Sequence, residues 1–156
     1  MGKPPVSTEP DWVSWRTPSK NPGKTMLKGA CLCAGVRFEI AGELQHAPDA
    51  CHCSQCCRHS GHYFVSANVA RAALTIHGEE NLGWYRSSEK VRRGFCKVCG
   101  SSLFWDPDRS GHDFIAVAMG ALDAPTGAQL ARHIFVADKG DYYGIDDGLP
   151  CYQASG

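Results

Sequence analysis

The densest group of chemically reactive side chains lies at residues 51–57, which read Cys-His-Cys-Ser-Gln-Cys-Cys. Thiolates bind soft divalent metals, and a Cys-x-Cys-x-x-Cys spacing lets one tight turn direct three sulfurs at a common point. Three protein ligands on zinc leave a fourth position for water or substrate, which distinguishes a catalytic site from a closed structural site. We therefore predict that Cys51, Cys53 and Cys56, called the triad below, hold a catalytic zinc ion.

Four more cysteines form two short pairs. Cys31 and Cys33 make a Cys-x-Cys pair. Cys96 and Cys99 make a Cys-x-x-Cys pair followed by Gly100, the pattern of a zinc knuckle, in which glycine lets the backbone fold close beneath two sulfurs. Seven grouped sulfurs divide most economically into four and three, so the two pairs are predicted to close a structural zinc site. Spacing also permits the triad and one further sulfur to form the closed site instead.

The roles of the remaining cysteines and of the nearby histidines are predicted from the expected direction of their side chains and from their distance from the triad in the sequence. Adjacent side chains on an extended backbone point to opposite faces, so Cys57 is expected to be a free thiol and not a ligand beside Cys56. Cys151 is expected to be structural or exposed. His59 and His62 follow the triad closely and are predicted to serve as acid or base, since imidazole titrates near neutral pH. Solvated loop histidines are the alternative interpretation of both.

Two further histidines are expected to have structural roles. His52 lies between two of the predicted ligands, where its ring is expected to point away from the metal. His133 opens an apolar segment and is expected to be a hydrogen-bonded histidine in the core or at its rim.

Short strands must position these residues. Residues 36–40 alternate between apolar and polar side chains, which is typical of a half-buried strand, and 114–119 is a continuous apolar run that suggests a buried one. Short strands at intervals of roughly 8–12 residues, with frequent turn residues between them, indicate an all-β domain. No long amphipathic helix is evident. Strands are predicted over 36–40, 63–69, 74–77, 84–86, 91–95, 102–105, 114–119 and 133–136.

Length and charge restrict the class of protein. A chain of 156 residues is expected to form one zinc-binding β domain over 26–156, preceded by a proline-rich extension over 1–25. The 16 basic and 16 acidic residues balance, so the sequence carries no electrostatic footprint for nucleic acid or for an anionic membrane. No apolar run approaches the roughly 20 residues that span a bilayer, and the first residues lack the apolar core of a secretory signal. A cytoplasmic protein is therefore expected.

The cysteine count agrees with that expectation. Disulfides are rare in the cytoplasm, where clustered cysteines are more often metal ligands or catalytic groups. The total of nine is odd, which argues against a fully paired disulfide framework. Metal binding is the favoured interpretation of the short, repeated spacings.

The three thiol motifs together resemble the glutathione-dependent formaldehyde-activating enzyme family, whose superfamily includes centromere protein V. The resemblance covers about residues 27–152. It departs from the family pattern at Cys57, because relatives more often have a basic residue directly after the triad, and it does not cover the proline-rich extension. The matching segments are 29–38, 51–56, 95–101, 133–136 and 147–150.

The resemblance implies a mainly β fold, an Mss4-like β-tent of antiparallel sheets pinned by zinc. It implies two zinc ions per chain, a catalytic one in the triad and a structural one held by Cys31, Cys33, Cys96 and Cys99. It also implies a carbon–sulfur lyase that joins a thiol, with glutathione expected, to a small aldehyde such as formaldehyde, giving an S-hydroxymethyl adduct.

Two other function classes stay open from sequence. One is a non-enzymatic zinc module that binds protein or nucleic acid, although the balanced charge disfavours nucleic acid. The other is a redox sensor in which Cys57 and a neighbouring thiol oxidise and release zinc. A homodimer is an open alternative to a monomer.

Overall fold

Two β-sheets are the main regular structure of residues 26–108 and 110–155, the part of the chain that the computed structural model describes. The extension predicted over 1–25 lies outside these residues. A single α-helix, α1, spans Ser54–Ser60 within them. The strands are β1 Met26–Ala30, β2 Arg37–Ala41, β3 Asp49–Cys51, β4 Phe64–Ala70, β5 Leu74–His77, β6 Leu82–Ser88, β7 Val91–Cys96, β8 Ser102–Pro107, β9 Phe114–Ala118 and β10 Arg132–Ile134.

The strands form a small sheet and a large sheet. The small sheet has the order β1-β2-β5, and the large sheet has the order β10-β3-β4-β9-β8-β7-β6. Neighbouring strands are antiparallel except β10 and β3, which pair in parallel. The prediction of a mainly β fold is confirmed, with this one parallel pair as an addition that the sequence did not indicate.

The strand patterns follow from burial. On β2, Phe38 and Ile40 are buried while Arg37 is exposed, which is the alternation expected of a strand with one face in the core. On β9, four consecutive residues are buried, because β9 lies between β4 and β8 inside the large sheet. The continuous apolar run over 114–119 is therefore an interior strand, as predicted, with its end at Ala118.

The core lies where the two sheets face each other. Phe38 of the small sheet meets Phe104 of the large sheet edge to face, with ring centroids 5.2 Å apart and both side chains fully buried. Gly29 of β1 lies against the Phe38 ring, and a Cβ at this position would be 2.3 Å from Phe38 Cζ and 2.7 Å from the carbonyl oxygen of Ala121. Glycine is required at position 29 because the ring and the backbone approach so closely.

The sequence did not predict helix α1. Its N-cap is Cys53, whose sulfur accepts a hydrogen bond from the amide of Cys56 at 3.4 Å, and its C-cap is Gly61 with φ 83°. Seven residues are too few to show a helical repeat, so periodicity could not find it. Cys56 and Cys57 are consequently helical, and the extended backbone assumed for them in the sequence analysis is wrong.

The last predicted strand is also shorter than expected. β10 ends at Ile134, because Phe135 adopts a left-handed conformation with φ 57° and a turn of 3-10 helix follows over Val136–Asp138. Within the described part of the chain, no helix is both long enough and apolar enough to cross a membrane.

We expect the change Phe38→Ala to lower the free energy of unfolding by about 3–5 kcal/mol, since it opens a cavity at the junction of the sheets. The measurement is urea denaturation followed by circular dichroism. The matched control is Tyr85→Ala, because this aromatic side chain is 63% exposed and its loss is expected to change stability by less than about 0.5 kcal/mol. Equal effects of the two changes would contradict the assignment of the core.

Candidate functional site

The grouped cysteine sulfurs come together at two separate points. Within each group the sulfurs all lie within 4.8 Å of one another, and all nine cysteines are free of disulfide bonds. The structure thus groups the sulfurs as four and three, which is the division that the sequence spacing favoured. The four-sulfur group consists of Cys31, Cys33, Cys96 and Cys99, and the triad consists of Cys51, Cys53 and Cys56.

Two similar turns build the four-sulfur group. In the first, the amide of Ala34 donates to the carbonyl of Cys31 at 2.9 Å, and Ala34 has φ 56°. In the second, the amide of Gly100 donates to the carbonyl of Cys96 at 2.9 Å, and Gly100 has φ 77°. A Cβ at Gly100 would meet nothing within 4 Å, so glycine serves the left-handed backbone here and not the close approach expected from sequence.

Sulfur contacts and one hydroxyl link the turns. Cys33 Sγ lies 3.5 Å from Cys31 Sγ and 3.7 Å from Cys96 Sγ. The amide of Val36 donates to Cys31 Sγ at 3.2 Å, and burial raises the pKa of the Cys31 thiol to about 12. The amide of Leu32 donates to the hydroxyl of Ser101 at 3.0 Å. Four sulfurs at these separations match the donor set of a closed tetrahedral zinc site.

The triad is built at the junction of two consecutive elements, β3 and α1. Cys51 ends β3, Cys53 caps α1, and Cys56 lies in the first turn of the helix. Cys56 is buried, and Phe64 and Ala118 of the large sheet pack against this group. Hydrogen bonds from the Cys51 and Cys56 thiols hold the pKa of Cys53 well below its usual range.

No fourth cysteine, histidine or carboxylate atom of residues 26–108 and 110–155 joins the triad within the 4.8 Å that its sulfurs span. The same sulfur contacts that lower the pKa of Cys53 raise that of Cys51, so without a cation the group favours one thiolate, at Cys53. A divalent metal held by three sulfurs would have a coordination position available for a ligand that is not part of the chain.

The two remaining cysteines lie outside both groups. Cys57 Sγ donates to the carbonyl oxygen of His52 at 3.3 Å, and burial raises the pKa of the Cys57 thiol. Cys57 and Cys56 point in different directions because successive side chains on a helix differ by about 100°. The sequence analysis had instead attributed their separation to an extended backbone. Cys151 is exposed, and its thiol donates to the carbonyl of Leu149 at 3.6 Å.

A buried chain of hydrogen bonds begins at His52, inside the triad loop. His52 Nδ1 lies 2.5 Å from the Tyr143 hydroxyl, and His52 Nε2 lies 2.8 Å from His133 Nδ1. His133 Nε2 in turn lies 2.8 Å from Asp147 Oδ2. Burial, reinforced by the charge of His133, lowers the pKa of His52 to about 4, so its ring is neutral at pH 7. The sequence analysis missed this chain, although His133 and Asp147 both lie in segments that carry the family resemblance.

The two predicted acid–base histidines have different surroundings. His59 lies one turn after Cys56 on α1, and its ring meets Phe64 edge to face at 6.4 Å. His59 Nε2 is buried without a hydrogen-bond partner in the described structure, and the residue lines a cleft of about 670 Å³. His62 Nδ1 lies 2.7 Å from the Tyr142 hydroxyl. His59 differs from His62 in that its unpartnered Nε2 is buried, whereas the hydrogen bond of His62 Nδ1 is at an exposed site.

The His59 cleft is lined by residues near both sulfur groups. Its lining includes Cys31 and Cys99 of the four-sulfur group, together with Phe64 and Ala118. The last two residues also pack against Cys56 of the triad.

The sheets and the two sulfur groups define a mainly β protein of the β-tent type with two candidate metal sites. Residues 26–138 match the family described as "Glutathione-dependent formaldehyde-activating enzyme". The match covers well over half of the chain, and the protein therefore belongs to this family, as the thiol motifs indicated.

Two individual proteins are similar to this chain. One is a Schizosaccharomyces pombe protein named as an uncharacterized lyase, with 30% identity over 78 residues, which are 50% of this chain and 56% of the relative. This chain thus spans about half the length of that relative. The other is a Rhodobacter sphaeroides protein of known crystal structure, with a TM-score of 0.54 and 22% identity over 80% of this chain and 98% of that one. This similarity supports the fold alone.

We expect His133→Ala to lower the free energy of unfolding by about 1–3 kcal/mol, because it leaves the buried ring of His52 with an unpaired nitrogen. Urea denaturation at pH 7 measures the change. The control is His77→Ala, since His77 is half exposed and lies 3.8 Å from Glu39, and the expected loss there is about 0–1 kcal/mol. A His133→Ala protein as stable as the control would refute a structural role for the hydrogen-bond chain.

Proposed function

We propose that the chain is a carbon–sulfur lyase that joins glutathione to formaldehyde, or a similar thiol to a similarly small aldehyde, and forms the S-hydroxymethyl adduct. The observation that carries this proposal is the group of three sulfurs, to which the described part of the chain adds no fourth ligand, beside a separate four-sulfur group, in a member of this family. The name of the Schizosaccharomyces pombe relative supports the broader class of lyase.

Zinc is the metal that we propose for both groups, because donor sets made only of sulfur suit it. Cys31, Cys33, Cys96 and Cys99 would hold a structural ion, and the triad would hold a catalytic one. In the triad, zinc would supply Lewis acidity and a lowered pKa for a thiol co-substrate. The family match beginning at residue 26 supports a zinc-binding domain over 26–156 that follows the extension over 1–25.

The reaction is an addition without oxidation or reduction. A carbon–sulfur bond forms between the thiol sulfur and the carbonyl carbon, the carbonyl double bond becomes a single bond, and the thiol proton ends on the oxygen. The chain must therefore move one proton between two substrate atoms. No other reactant is needed.

His59 is the residue that we propose for this proton transfer. Burial, and then the charge of Arg93, lower the pKa of His59, so the ring is neutral near pH 7 and its lone pair can accept a proton. The unpartnered Nε2 would take the proton from the thiol and return it to the oxygen. This order places His59 first as a base and then as an acid.

Metal content gives the first test. We expect protein purified under reducing conditions to contain two zinc ions per chain, one for each sulfur group, as measured by plasma mass spectrometry. Cys53→Ser is expected to reduce the content to one. Cys57→Ser is the matched control and should retain both ions, because its sulfur is directed at His52 O. A single ion in the wild-type protein that survives Cys53→Ser would refute a metal site in the triad.

Activity gives the second test. Exchange between free formaldehyde and its glutathione adduct can be followed by two-dimensional exchange NMR, and we expect the wild-type protein to accelerate it. Cys53→Ser is expected to abolish the acceleration and Cys57→Ser to preserve it. His59→Gln is expected to reduce the rate by about 10²-fold, the usual contribution of a positioned acid or base.

The controls in this assay separate two conclusions. Wild-type protein that contains two zinc ions but accelerates no exchange, with glutathione or other small thiols, would leave a zinc-binding module as the better description. Full activity in His59→Gln would remove His59 from the mechanism without affecting the reaction assignment.

A further inference from the structure

Two consecutive arginines of β7 face in opposite directions and differ in their partners. Arg92 is exposed, lies 4.1 Å above the Trp84 ring and donates to the carboxylate of Asp106 at 2.7 Å. Arg93 is 3% exposed, and none of the ion pairs within residues 26–108 and 110–155 includes it. A guanidinium remains charged at every pH of interest, and a buried charge without a counter-charge is costly. The negative charge that balances Arg93 is therefore expected among its hydrogen-bond partners.

The hydrogen bonds of Arg93 lead to the triad. Its Nη1 lies 3.6 Å from Cys56 Sγ, and its Nη2 lies 3.4 Å from the side-chain oxygen of Gln55. Its Nε lies 3.2 Å from the hydroxyl of Ser87 on β6. Two of these acceptors are neutral oxygens, so the sulfur of Cys56 is the only one of the three that can carry a negative charge.

A metal-bound triad would supply the negative charge that Arg93 lacks. Three thiolates around a divalent cation would leave one net negative charge, and Cys56, which is only 4% exposed, would place part of it in the protein interior. Charges in a poorly solvated site interact strongly, so the positive charge of Arg93 beside this sulfur offsets the cost of burying both.

The four-sulfur group is stabilised in another way. Cys33 is exposed to solvent, and Cys31 Sγ accepts a hydrogen bond from the amide of Val36 at 3.2 Å. With a divalent metal bound, solvent at Cys33 and the backbone amide of Val36 would stabilise the excess negative charge of this group. None of the hydrogen bonds and ion pairs that the structure shows for Arg93 reaches this group. A change at Arg93 is therefore expected to affect one group and not the other.

We propose that Arg93 is the positioning residue of the triad: its guanidinium offsets the negative charge of the metal–thiolate group and holds Cys56 in place through a fork that also engages Gln55. The inference rests on the metal-binding role of the triad given under the proposed function, but not on the identity of either substrate. Hydrogen-bonding partners of metal ligands commonly tune both metal affinity and ligand orientation.

The test is cobalt binding by the whole chain, measured by competition with a chelator and by the thiolate-to-cobalt charge-transfer absorption. Cys53→Ser identifies the part of the spectrum that belongs to the triad. We expect Arg93→Gln to weaken cobalt binding at the triad by about 10–100-fold and to move its charge-transfer band to longer wavelength, because the sulfur loses a hydrogen bond. Binding at the four-sulfur group should be unchanged. Arg92→Gln is the matched control and should leave the triad spectrum unaltered.

Arg93→Lys separates charge from geometry. Lysine keeps the positive charge but not the fork, so we expect a smaller loss of affinity than in Arg93→Gln, still confined to the triad. If Arg93→Gln does not fold, a change in affinity or spectrum limited to the triad in Arg93→Lys supports the proposal. An unaltered spectrum and affinity in either folded Arg93 variant would overturn it, as would equal weakening of both groups.

The result of the cobalt experiment can be distinguished from the result of the activity assay. Selective loss of cobalt from the triad in Arg93→Gln, together with no thiol addition by the wild-type protein, would refute the reaction and leave the assignment of Arg93 standing. Wild-type protein that binds no cobalt at the triad would overturn both.

Discussion

The four-sulfur group is the junction on which the rest of the structure depends, because it joins the small sheet to the large one. Cys31 directly follows β1, and Cys96 ends β7, so sulfurs that are 65 positions apart in the chain meet at the same point. Both residues are also members of the main buried core. The sulfur group therefore continues the apolar interface formed by Phe38 and Phe104, and a tetrahedral metal there would fix the relative position of the sheets.

The two sulfur groups differ mainly in what surrounds them. The four-sulfur group reaches solvent at Cys33, whereas the triad is covered by Phe64 and Ala118 and faces the buried guanidinium of Arg93. Burial strengthens every electrostatic interaction in the triad and also makes each unpaired charge costly. This difference, together with the number of sulfurs in each group, supports the proposed structural role of one group and the proposed reactive role of the other.

The C-terminal segment belongs to the site although it lies far from the triad in sequence. β10 pairs in parallel with β3, and this pairing brings His133 beside His52. Asp147 and Tyr143 complete the hydrogen bonds of the two imidazoles. The loop that carries the triad is thus held by a hydrogen-bonded network that is buried at His52 and His133 and ends at the exposed carboxylate of Asp147, which restricts the positions of its sulfurs.

The sequence by itself determined the class of the fold and indicated two thiol-rich metal sites. Cysteine spacing made the division of seven sulfurs into four and three the economical one, and the alternation at Phe38 and Ile40 and the apolar run at 114–119 identified core strands, because these signals are local. Helix α1 was too short to have a periodic signal, and an incorrect extended backbone was assumed for Cys57 as a result. Only the tertiary structure decided that His52 meets His133 and that Arg93, not Arg92, faces Cys56. Those contacts depend on which strands pair and in what register, and residues distant in the chain carry no local record of that choice.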